Sequence, residues 1–181
     1  MNKRMMIFVL MLMTAVGMQA QWESRWYGGE EIKRLMKEAT GSDMNIVLNF
    51  INYGTHSTLN IEIPFKIKYE GMTMEGLIVV PGGSHKKRGS TVSTTFDKPV
   101  KLEYSDVQSD DPEMKSMLSD PSTKKKVLQM LKDATMEQLG GEINNIKEVA
   151  EYFKTFDIES RTSTELVIKT EDQTFTFTRE N

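Results

Sequence analysis

Two histidines, one acidic loop and one glycine-rich turn are the places where this 181-residue chain offers reactive or ligating groups. His56 and His85 both fall in turns rich in Gly, Ser or Thr. Histidine is the side chain whose charge changes near neutral pH, but an exposed loop is its ordinary setting. No G-x-S-x-G elbow presents a serine beside either of them. Asp106, Asp110, Asp111 and Glu113 crowd hard oxygen ligands into one stretch, a composition suited to Ca²⁺. Their spacing lacks the D-x-[DN]-x-[DN]-G order of a calcium loop, so the stretch reads as a solvated lead-in to a helix. Pro81-Gly82-Gly83-Ser84 has no following Gly-Lys-Ser/Thr and reads as a hairpin loop rather than a phosphate cradle. Glu62 and Glu75 are candidate cross-strand neighbours for the two-carboxylate chemistry of glycoside hydrolysis, yet with Lys66 and Lys68 alongside they resemble ordinary surface charge. No set of groups converges, so the reading is a non-enzymatic protein with no cofactor and no metal.

Composition narrows the setting. The absence of cysteine excludes disulfides, thiolate metal sites and cysteine nucleophiles, and leaves no acceptor for a bacterial lipid anchor. Residues 1–20 have a basic head (Lys3, Arg4), an apolar run from Met5 to Met13 and a small residue, Ala20, before Gln21. That is the layout of a secretory signal peptide, with a core too short to span a bilayer. The expected organisation is a leader, 1–20, and one domain, 21–181, delivered to the periplasm or secreted. Without the leader, 21 basic residues face 26 acidic ones, a formal charge of −5. This balance argues against nucleic acid as a partner, and Lys124-Lys125-Lys126 reads as a solvated helix face. No later run is apolar enough to cross a membrane, so no membrane span is expected. Six of the 14 methionines belong to the leader, and the remainder read as flexible core filler.

The pattern of apolar residues supplies the elements. Ile32, Leu35, Met36 and Ala39 fall at helical spacing, with Gly41 as the stop. From Met44 to Tyr104 the period is two. In STLNIEIPFKIKY, Leu59, Ile61, Ile63, Phe65, Ile67 and Tyr69 share one face, and Pro64 predicts a bend, bulge or edge. Further strands are expected at Met44–Ile51, Met72–Val80, Gly89–Phe96 and Val100–Tyr104, joined by tight turns. Asp120-Pro121 marks a helix start with Asp as N-cap, Gly140-Gly141 a stop, and Ile143 to Phe153 a second helix. Strand alternation returns at Phe156/Ile158, Leu166/Ile168 and Phe175/Phe177. The fold class is mainly β (α+β): an antiparallel meander with a short N-terminal helix and a two-helix insert before the last strands.

Trp22, Trp26 and Tyr27 stand just ahead of these strands, placed to floor or plug a barrel or to pack against a sheet end. The ending FDIESRTSTELVIKTEDQTFTFTRE, together with the early tryptophans, resembles the lipocalin-like (calycin) proteins secreted by Bacteroidetes-type bacteria. The resemblance covers the final quarter and the tryptophans; the G-x-W signature is absent. It implies a barrel of about eight strands in which Arg179 packs on Trp22 or Trp26 at the closed end. It further implies a small apolar ligand held inside, with Trp26, Leu59, Ile61, Ile63, Phe65 and Ile67 lining the site. The alternative is an interaction or inhibitor module of the cell envelope, with a protein partner on a sheet face or loop. That reading expects a filled interior.

Overall fold

The fold is described from a computed structural model, over residues 24–41, 43–69, 71–138 and 142–179. The leader, its cleavage point, Trp22, Glu70 and the Gly140-Gly141 stop lie outside the described residues. Ten antiparallel strands and four helices are present among the described residues. In chain order they are β1 (Ser24–Gly28), α1 (Glu30–Thr40), β2 (Val47–Asn52), β3 (Ser57–Tyr69), β4 (Met72–Val80), β5 (Lys86–Arg88), β6 (Thr91–Ser93) and β7 (Lys101–Ser109). Then come α2 (Pro112–Leu118), α3 (Pro121–Gln138), α4 (Glu142–Glu151), β8 (Thr155–Arg161), β9 (Glu165–Lys169) and β10 (Thr174–Thr178).

All ten strands form one sheet in the order β5-β6-β8-β9-β10-β1-β2-β3-β4-β7. The first strand therefore pairs with the last, Tyr27 opposite Thr178. The count is ten rather than about eight, and the two ends of the order, β5 and β7, are not paired with each other.

Local chemistry explains most elements. In α1, Ile32 and Met36 are buried, and Gly41 closes the helix at φ +72° with its N–H on the Lys37 carbonyl. Asp120 caps α3 as its sequence predicts, its carboxylate accepting from the Thr123 N–H at 2.7 Å. Pro64 stands just past Glu62, the last β3 residue paired to β2, so its missing donor falls where that ladder has ended.

Three departures have clear causes. First, β7 runs on to Ser109, although SDVQS looks like loop. Only Val107 of its second half is buried, and the strand is held by pairing to β4, with a bulge opposite Glu75/Gly76. Second, the acidic lead-in contains a short helix, α2, because Asp111 accepts from the Met114 N–H at 2.8 Å and Pro112 follows it. Third, Pro81–Ser84 is not a hairpin loop. The chain continues from β4 straight into β5, and the reversal comes at Gly89, φ +64°, before β6. Along this link Ser84 bridges Thr58, the His85 N–H donates to the Ser57 carbonyl and the Gly83 N–H to the Thr95 carbonyl. One continuous run of chain thus pairs with β3 first and β6 afterwards.

Gly82 makes that passage sterically feasible. A Cβ there would lie 1.9 Å from the Leu59 carbonyl oxygen, inside any tolerable contact. The main core lies on one face of the sheet, beneath α1 and α4, and joins Trp26, Met36, Leu48, Leu59, Ile61, Ile63, Phe153, Phe156, Phe175 and Phe177. A smaller cluster of Met74, Val107 and Leu118 sits where α2 and α3 cover β7. Gly82→Ala should cost about 1–3 kcal/mol through forced backbone displacement, read as a lower urea midpoint with an unchanged slope.

Candidate functional site

Strand pairing decides which side chains meet. Trp26 lies opposite Leu48, which lies opposite Ile61, which lies opposite Val80, so these four share the core face. Trp26 is 1% exposed, and its indole N–H donates to the Ser24 hydroxyl at 2.6 Å. Two guanidinium groups flank the ring: Arg161, from the end of β8, at 5.5 Å from the ring centroid, and Arg179, just past β10, at 5.7 Å. Cations at this distance are attracted by the negative face of an indole. Burial and the neighbouring Arg179 lower the Arg161 pKa from its ordinary value.

Around Trp26 the sheet brings together Phe50, His85, Lys87, Val92, Ile158, Arg161 and Leu166, from β2, the β4–β5 link, β5, β6, β8 and β9. They enclose a cavity of only about 10 Å³, room for a single water molecule at most. His85 meets Phe50 edge-on at 5.8 Å, and its Nδ1 is buried with no hydrogen-bond partner among the described residues. Burial is the main cause that lowers its pKa; the Thr58 backbone opposes this and Lys87 adds to it. His56, in contrast, is exposed and stacks on Tyr53 at 5.1 Å in the β2–β3 turn.

Of the residues expected to line a ligand site, Trp26 alone borders this cavity. Leu59, Ile61 and Ile63 are at most 1% exposed and fill the core. Phe65 is partly buried, edge-on to Tyr104 at 5.4 Å. The side chain of Ile67 is outside the described set; its backbone pairs with Met74.

The opposite face of the sheet holds a feature that the alternation pattern conceals. Glu62, on the nominally polar face of β3, is only 5% exposed. Asn49 Nδ2 donates to one carboxylate oxygen at 2.6 Å and Arg25 pairs with the other at 3.0 Å. Glu62 and Arg25 form part of an open groove of about 500 Å³ with Tyr27, Val47, Pro64 and Leu77. Glu75 also borders the groove but is not opposite Glu62: the register sets Glu62 against Val79 and Glu75 against Lys66, which it pairs with at 2.6 Å. Ion pairing of this kind matches ordinary surface charge, and the register does not set Glu62 and Glu75 against each other. The acidic stretch is likewise engaged: Asp106 with Lys124 and Gln108, Asp110 with Lys68, and Asp111 as the α2 cap. Among the described residues no group of three or more His, Asp or Glu is placed to hold a metal ion.

Comparison with known proteins finds no matching family model, curated protein or solved structure.

Two outcomes follow from these contacts. Arg25→Ala leaves the buried Glu62 carboxylate with Asn49 alone and should cost about 1–3 kcal/mol, measured by urea unfolding at pH 7. His85 binds a proton less readily folded than unfolded, so stability is complete above the ordinary value of 6.5 and falls as pH drops below it. Urea midpoints taken from pH 7.5 to 5.5 should therefore decline in the wild type and decline less in His85→Phe. This window lies above the Asp106 and Asp120 carboxyls, whose pKa values are lowered from 3.8 by their hydrogen-bond donors, Lys124 and Thr123 respectively.

Proposed function

We propose that this chain is an exported, non-catalytic interaction module that works through the outside of a side-chain-filled, lipocalin-like barrel. The observation that carries the reading is the densely filled core. Trp26, Phe153, Phe156, Phe175, Phe177, Leu59, Ile61 and Ile63 are all at most 2% exposed. The space they leave beside Trp26 is about 10 Å³, against the roughly 300 Å³ or more of an ordinary small-molecule pocket.

Barrel closure is supported by the β4–β5 link, hydrogen-bonded to β3 at Ser57 and to Thr95 just beyond β6. Counted as one bent strand, β4 and β5 would join the two halves of the ladder, leaving β7 as an outer addition. The lipocalin-like reading is supported by Arg179 over the Trp26 ring. The non-catalytic reading is supported by carboxylates already committed to ion pairs and caps. A small apolar ligand inside the barrel remains the competing use of the fold, and it would have to displace core side chains at the cost of packing.

Native mass spectrometry of protein purified from its own host separates the two uses. The expected result is the bare polypeptide mass, together with recovery of a partner on the outer surface. A stoichiometric lipid-sized adduct that survives gentle desolvation would overturn the filled-interior reading.

A further inference from the structure

Strand directions place a set of cations at one end of the sheet. The link that bridges Thr58 at Ser84 runs on past the start of β3, so Lys86–Arg88 project beside the β2–β3 turn. β8 runs parallel to β5 across β6, and β10 runs parallel to β8 across β9. Arg161 and Arg179, at the ends of β8 and β10, therefore fall at the same end. Lys86, Lys87 and Arg88 are all exposed, and Lys86 and Arg88 have no ion pair among the described residues. Among the described residues, Asp157, Glu159 and Glu165 are carboxylates at this end, and Asp157 is already engaged by Ser90 and Thr91. The far end carries Asp110, Asp111, Glu171 and Asp172 together with Lys68, Lys154 and Lys169, and there Lys68 pairs with Asp110 and Lys154 with Glu151.

The tip that carries Lys86–Arg88 also presents an aromatic. Tyr53 is 58% exposed, yet its loop is held in place. Its N–H donates to the His56 carbonyl at 2.9 Å, and the Gly54 N–H donates to Asn52 Oδ1 at 2.8 Å. Gly54 adopts φ +81°, and Thr55 Oγ1 sits 3.1 Å from His56 Nδ1. An ordered, exposed tyrosine among lysines and arginines suits the boundary between headgroups and acyl chains, where an amphipathic ring and flexible cations are both satisfied.

We propose that this end of the sheet docks on the phosphate headgroups of an anionic lipid bilayer, with Lys86, Lys87 and Arg88 supplying the charge and Tyr53 the interfacial contact. Three adjacent exposed cations beside an exposed tyrosine fit an extended negative surface better than a single anionic group. The inference rests on the reading that the outside of the fold is its working surface, and it adds the partner.

The test is vesicle co-sedimentation with protein purified from its own host, comparing phosphatidylcholine vesicles with vesicles containing phosphatidylglycerol. Binding is expected only to the anionic vesicles and should weaken as salt rises. Each interfacial cation contributes about fivefold in affinity, so Lys86→Glu/Arg88→Glu should bind more than about twentyfold more weakly. Tyr53→Ala should weaken binding without changing the salt dependence. Lys125→Glu/Lys126→Glu, on the exposed face of α3, removes equal charge elsewhere and should leave binding unchanged. Unaltered thermal melts for the two charge variants verify that both are folded. Equal binding to neutral vesicles, no binding to either, or equal loss in both charge variants would overturn the proposal. Retention on soluble heparin without vesicle binding would overturn it too, assigning the tip to a polyanion. None of these outcomes alters the adduct measurement, so failure here is separable from failure of the filled-interior reading.

Discussion

The rest of the structure depends on the close approach of the Pro81–His85 link to β3. There the backbone of Gly82 lies where a side chain would collide with the Leu59 carbonyl. That approach lies on the path that carries the chain past Val80 into β5, which pairs with β6 as β6 pairs with β8. With it, a single run contributes to two stretches of ladder, and Trp26, Phe50 and Val92 come to share one small space. The constraint is one of excluded volume, so it is strict: a hydrogen bond can lengthen, whereas two overlapping atoms cannot coexist.

The β3 segment was legible because its apolar residues fall on one side. Leu59, Ile61 and Ile63 alternate with polar residues over enough length to fix the period, and the structure buries all three. The α1 stripe and the Asp120 cap were legible for similar reasons, each being a local preference acting on its own neighbours. The β4–β5 link was not. Two glycines and a proline signal a turn when only local chemistry is considered, and the close approach that explains them involves a residue more than twenty positions away. Lys86–Arg88 were hidden because three exposed cations have no apolar period to register.

Glu62 shows a different limit. Its place in the alternation marks it as solvent-facing, away from Ile61 and Ile63, yet Arg25 and Asn49 both engage its carboxylate. The candidate site divides the same way. The sequence named the core-facing residues of β3 and the tryptophan, but which of them border space and which fill it depends on helices α1 and α4, contributed by distant parts of the chain. Volume left over after packing is a property of the whole molecule, which no window of residues contains.

The pairing of β1 with β10 has a kinetic consequence. The strand that carries Trp26 finds one of its two neighbours within a few dozen residues and the other about 150 positions later. A chain emerging from its N-terminus holds an unfinished sheet edge, with Trp26 lacking Arg179, until the last strand arrives. Such distant pairing places this fold among the slower-forming topologies. The tryptophan environment is thus completed by a pairing about 150 positions apart, a large loop for the chain to close.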